Sequence, residues 1–219
     1  MDYGGPESKL LQRWRSWKWP EELVPTREVN VMASNVSVTP VTVRGPFAFD
    51  APKAIQAILF AAKRLRQPVN MYWVLKSLYF ADKHHLHRYG RFIFGDRYVA
   101  MSHGPVPSGA YDLCKIARGE SPLLQCPEVR SAFSVSENHI IPFVDANLEV
   151  FSESDLECLD EGVKECRDLS FGELKSKSHD EAWRSSDEND EMTIESIAAL
   201  APDRDALLEY LKDPHPGPA

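Results

Sequence analysis

The residues with the most chemical potential lie close together. Asp82, His84, His85 and His87 follow one another in NMYWVLKSLYFADKHHLHRYG (70–90), and His103 comes soon after in GDRYVAMSHG. Carboxylates and imidazoles are metal ligands, and an ion held by Asp82, His85 and His103 would activate water in the manner of a metal-dependent hydrolase. The spacing argues against it. The segment reads as helix, and at about 100° per residue His84 and His87 share a face whereas Asp82 points roughly opposite to His84. One helix cannot present all three to a single ion, so histidines bonded to backbone or packed on aromatic rings are the preferred reading.

Other catalytic patterns are missing: GxSxG, HExxH and phosphate-loop sequences do not occur. Cys114, Cys126, Cys158 and Cys166 form no CxxC pair, which disfavours both a zinc knuckle and a disulfide framework. Ser108-Gly109 could offer backbone N–H groups to an anion, but a helix start accounts for the same residues. The sequence thus points to no catalytic residue, metal or cofactor. It is dense in aromatic residues: Trp73, Tyr79, Phe80, Tyr98 and Tyr111 suit either a binding surface or a core, with Tyr98 and Tyr111 expected to be more accessible than Tyr79.

The elements that must position these residues are readable from caps and periodicity. Asp50 caps a helix with Pro52 in its first turn and an apolar stripe of Ile55, Ile58, Leu59, Ala62 and Leu65. Asn70 caps a second helix running to Tyr89, with Gly90 as its left-handed stop. One face of it gathers Met71, Leu75, Leu78, Tyr79 and Leu86, and the other Trp73, Phe80, His84 and His87, so the helix should be central. Asp82 falls within the first face. A buried carboxylate needs donors, and Arg97, His103 or the N–H groups near Gly104 are the nearest in sequence.

A hairpin is expected from Arg91–Phe94 and Arg97–Met101 around Gly95-Asp96. A third helix follows from Pro107 or Ser108 to Gly119, then a connector to Glu137 and an edge strand at Asn138–Val144. Ser154 with Glu157, and Ser170 with Glu173, read as capping boxes of two further helices. A polar break around Trp183 leads to helices at Thr193–Leu200 and Asp203–Leu211. The fold class expected is α+β, predominantly helical, with a hairpin or three-stranded antiparallel sheet.

Three regions are expected: an N-terminal extension (1–45), a main domain (46–186), and C-terminal helices with a disordered tail (187–219). In the extension, Trp14, Trp17 and Trp19 lie among basic residues, which suits an amphipathic arm for a partner or membrane surface. A start at Met32, with a translated leader before it, is the preferred alternative. No secretory signal or membrane-spanning run is present, so a cytoplasmic location without membrane attachment is expected. Net charge is -8, with 19 acids against 7 bases in 152–213 and 14 against 18 elsewhere. Such an acidic third disfavours nucleic acid and is compatible with a basic protein partner.

Taken together, LYFADKHHLHRYGR, GDRYVAMSHGPVPS, AYDL and SHDEAW resemble the Panacea domain of SocA-like antitoxins over about residues 50–186. The residues carrying the likeness are Leu78, Tyr79, Phe80, Tyr89, Gly90, Tyr98, Gly104, Pro105, Val106, Tyr111, His179 and Trp183. The resemblance implies an antitoxin that neutralises a cognate protein toxin, encoded by an adjacent gene, through direct binding. Alternatives are an adaptor that delivers the toxin to a Clp protease, and the metal-dependent hydrolase above. Some members are phage-associated. The residues put forward for the partner surface are Tyr79, Asp82, Tyr98, His103, Pro105, Tyr111 and Trp183.

Overall fold

A computed structural model describes residues 47–212. The Trp-rich extension and the C-terminal tail lie outside these residues. In helix α1 (Ala51–Arg64) the Asp50 carboxylate accepts from the Lys53 N–H at 2.9 Å, and Pro52 occupies the first turn, where no N–H is needed. Helix α2 (Met71–Tyr89) opens at Asn70, whose side chain accepts from the Tyr72 N–H, and stops at left-handed Gly90. Buried positions occur on all its sides, as its two apolar faces require.

Against α2 pack α1, the first hairpin and α5 (Glu153–Arg167). The α2–α5 approach is close because position 162 is glycine: a Cβ there would lie 2.4 Å from the Ser77 carbonyl oxygen and 2.8 Å from the Ala81 nitrogen. The α5 capping box uses Ser152 and Asp155, half a turn before the expected Ser154–Glu157 pair. It wins because Asp155 is also drawn inward by Lys53 and Arg91. The next box, Ser170 with Glu173, opens α6 (Phe171–Ser178) as its spacing predicts.

The first hairpin pairs β1 (Tyr98–Met101) with β2 (Gly104–Pro107) around Ser102-His103, and α3 (Ser108–Arg118) follows directly. This corrects the expected pairing of Arg91–Phe94 with Arg97–Met101. The Gly95-Asp96 step is not that hairpin's turn, because the Asp96 carboxylate reaches across to cap α3, accepting from the Gly109 N–H at 2.7 Å and the Ala110 N–H at 2.8 Å. Phe94 instead accepts from the Asp50 N–H through its carbonyl.

After α4 (Val129–Ala132) comes a second hairpin, β3 (Phe133–Ser136) with β4 (His139–Pro142). Its turn residues Glu137 and Asn138 both have positive φ, as a primed two-residue turn demands. The run before Glu137 is therefore a strand where a connector was expected, and the Asn138–Val144 edge strand shortens to β4. Helices α7 (Glu181–Arg184), α8 (Ile194–Ala198) and α9 (Arg204–Lys212) complete the described chain. The expected polar break does more than connect: Ala100 N–H donates to Asp190 and Met192 N–H to Tyr98, so this segment lies along the free edge of β1. Among the described residues the architecture is predominantly helical α+β, with two separate two-stranded antiparallel sheets.

Candidate functional site

A buried polar seam runs between α2, the first hairpin and α6–α7. At one end Asp82 is fully enclosed. Its Oδ1 accepts from the Ile93 N–H at 2.7 Å and its Oδ2 from the Tyr98 hydroxyl at 2.7 Å. Tyr98 packs edge-on against Tyr79, whose hydroxyl donates to Asp180 at 2.8 Å. Lys83 donates to the same Asp180 oxygen at 2.7 Å, while the other oxygen accepts from the Trp183 N–H and starts α7. Asp180 therefore ties α2 to α7.

At the other end lies Lys76, enclosed in the flank of α2. Its Nζ donates to the Pro105 carbonyl at 2.6 Å and stands 5.1 Å from the Tyr72 ring centre. The Tyr72 hydroxyl donates to the His103 carbonyl at 3.1 Å, and Trp183 Nε1–H donates to the Met101 carbonyl at 2.9 Å. Both ends of the tight turn are thus held by side chains from helices. Gly104 makes that possible: its φ is +95°, and a Cβ would fall 2.3 Å from Ser178 Oγ and 3.1 Å from Lys76 Nζ.

Burial sets the electrostatics. It pushes Asp82 up to about 7, against the bonds from Tyr98 and Ile93, and Asp96 up to about 6, against three backbone N–H groups. It drives the Lys76 ammonium well below the usual lysine range. Burial, then Lys175 and Lys76, lower both His103 and His179 to about 4, so both imidazoles are neutral near neutral pH. Neutral His179 stacks on the Trp183 ring at 3.7 Å. The raised Asp82 is a consequence of enclosure: both oxygens are occupied and neither faces solvent. The seam's chemistry is one of tying elements together.

Of the residues put forward for a partner surface, Tyr79, Asp82 and Tyr98 touch one another or share bonds. His103, Pro105 and Trp183 meet at the turn above Lys76. Tyr111 lies apart on α3, beneath the Lys115 ammonium. All but the half-buried Trp183 are buried, and Tyr98 and Tyr111, expected to be more accessible than Tyr79, are enclosed almost as completely as it is. The Tyr79 and Tyr98 rings fill the space between α2 and the first hairpin. The expected Asp82 partners, Arg97, His103 and the Gly104 turn, give way to Ile93 and Tyr98, since neutral donors suffice for an enclosed carboxyl.

Asp82, His85 and His103 do not converge. His85 is held by the Arg91 carbonyl at 2.9 Å and by Asp155 at 3.1 Å, while the His103 ring packs edge-on against Phe171. Among the described residues no group of three or more His, Cys, Asp or Glu could hold a metal ion. Burial would raise Asp155, but bonds from His85, Lys53 and the Ser152 N–H outweigh it and hold the carboxyl far below its usual range.

The family model described as antitoxin SocA-like, Panacea domain matches residues 74–184, from within α2 to the end of α7. The chain belongs to this family. No curated protein and no solved structure matches it. The Panacea match covers the seam from Lys76 to Trp183 but not Tyr72, and it includes Lys76 and Asp180, for which no role was expected from the sequence. Lys76 carried a signal: it stands three residues from Trp73 and four from Phe80, on an apolar face. Asp180 carried one too, as a cap three residues before Trp183. Among the described residues no helix is long and apolar enough to cross a membrane.

Proposed function

We propose that this Panacea-domain protein is the antitoxin of a toxin–antitoxin pair. It neutralises a protein toxin, encoded by an adjacent gene, by direct binding and without catalysis of its own. Membership of the SocA-like antitoxin family carries this reading. The seam is consistent with it, since the carboxylates, lysine and histidines that could do chemistry are taken up in packing.

The test is to express the adjacent gene product alone and together with this protein. Alone it should arrest growth, and together growth should recover with both proteins co-purifying as a complex. An adjacent product that is harmless alone, or that stays toxic in the presence of this protein, overturns the reading. Delivery to a Clp protease would instead appear as a toxin half-life shortened by this protein only in cells with Clp activity. The expected half-life is unchanged.

A further inference from the structure

We propose that the strap from Ile141 to Val150, together with the start of α5, is the surface that docks the toxin, and that it accepts an apolar protrusion flanked by Lys or Arg. This assignment rests on the antitoxin reading and adds its surface. Ile141, Phe143, Val144, Leu148 and Val150 are each between 42% and 56% exposed. Among the described residues the remaining exposed large apolar side chains are Tyr89, Leu123 and Tyr210, so five of eight fall within ten consecutive residues. Apolar side chains concentrated in this way mark interaction sites far more often than ones scattered singly.

The strap is held in place. Lys63 pairs with Asp145 at 2.5 Å, the Asn147 N–H donates to Gln56 at 2.8 Å, and the Phe151 ring packs against Phe60. These contacts fix its course along α1, so little ordering is needed on binding. Docking by strand addition is disfavoured. The Ile140 N–H on the outer edge of β4 already donates to Val69, the Asn138 carbonyl accepts from Met71, and Pro142 has no N–H to give. Side chains must make the contact.

Charge selects the occupant. From Ile141 to Val163 the chain carries seven acids and no base. Asp145, Asp155, Glu157, Asp160 and Glu161 pair with cations from elsewhere or from the next turn of α5. Among the described residues Glu149 and Glu153, both exposed beside the apolar side chains, take part in no ion pair. A second copy docking symmetrically would bring the same two carboxylates from each chain into one interface, and an anionic lipid surface would be repelled. A basic-rimmed protein surface is attracted.

The test uses the full chain and the purified product of the adjacent gene, read by titration calorimetry and melting temperature. The Phe143→Ser/Val144→Ser double variant should keep its melting temperature and lose affinity about 100-fold. Glu149→Lys/Glu153→Gln should weaken binding about tenfold and flatten its salt dependence. Leu123→Ser, on a separate exposed loop, should bind as the wild type does. If the wild type binds and both strap variants bind equally well, the surface is wrong while the antitoxin reading stands. If the wild type does not bind, the antitoxin reading falls and this assignment with it. A dimer by light scattering that the apolar double variant dissolves would make a second copy the occupant and overturn the proposal. Should that variant melt early, the charge pair alone decides.

Discussion

In and beneath the first hairpin, Asp82, Lys76 and His103 are shut away from water, while at the end of the second hairpin and just after it five large apolar side chains stand half in it. Each region inverts the usual placement of residue types, for different reasons. In the seam, Lys76, Asp82 and Asp180 are each matched to a donor or acceptor on another element, so removing one leaves its partner stranded. In the strap, the exposed rings and aliphatic chains have few neighbours within the chain to lose. Seam residues should therefore govern stability, and strap residues should govern binding.

The largest effect on stability is expected at Asp82. Asp82→Ala strands the Ile93 N–H in a dry interior, leaves the Tyr98 hydroxyl only its long 3.4 Å bond to the Leu78 carbonyl, and should cost about 3 kcal/mol in urea unfolding, with neutralisation lost only as folded protein is lost. A variant with wild-type melting temperature that no longer neutralises toxin would move Asp82 into the interface and break the comparison. Next comes Gly104→Ala, expected to cost about 2 kcal/mol from the positive φ and the contact with Ser178. Adding Ser178→Ala should relieve the contact and leave the backbone part. Full recovery in the double variant would show that φ at Gly104 carries no cost.

A smaller effect concerns pH. Asp82 and Asp96, raised to about 7 and about 6 by burial, hold protons that the unfolded chain releases near its ordinary value of about 3.9. Their contribution is full below that value and fades as pH rises through 6 to 7. His103 and His179, lowered to about 4 by burial and then by Lys175 and Lys76, contribute above about pH 6.5 and lose that contribution as pH falls toward 4. The two pairs oppose each other across this window. Asp82→Asn removes one acid-favoured member, so on going from about pH 7 to about pH 4.5 its urea midpoint should fall further than that of the wild type. Parallel falls would mean that Asp82 does not titrate in this window.

The seam was legible in the sequence where its signals are local, and obscure where they depend on distant elements. Asp50, Asn70, Gly90 and the Ser170–Glu173 box act within one helical turn, and each stands where its spacing places it. Asp82 was readable as inward from the helical projection. Its donors were not, because Ile93 lies in a loop that sequence pattern mistakes for a strand and Tyr98 suited a surface as well as a core. Gly95-Asp96 carries the signature of a hairpin turn, yet Asp96 spends its carboxylate on α3, thirteen and fourteen residues away. Only the first residues of the strap, within the expected Asn138–Val144 strand, were legible, and they were legible as strand and not as surface. Whether Ile141 faces outward depends on what covers β4, and that is decided by α1, which packs against it, not by the strap's own residues.

The smallest expected effect is the most discriminating. Phe143→Ser/Val144→Ser alters two large apolar side chains, a change that within a core would cost several kcal/mol. On the strap both are more than half exposed, so unfolding should shift by no more than about 0.5 kcal/mol. Measured beside Asp82→Ala, this pair sets a large chemical change with little effect on folding against a single enclosed carboxylate with a large one. A core-sized loss of stability from the double variant would mean that the strap is covered by part of the chain itself. Phe143 and Val144 would then belong with the seam as packing, and the contrast between the two regions would disappear.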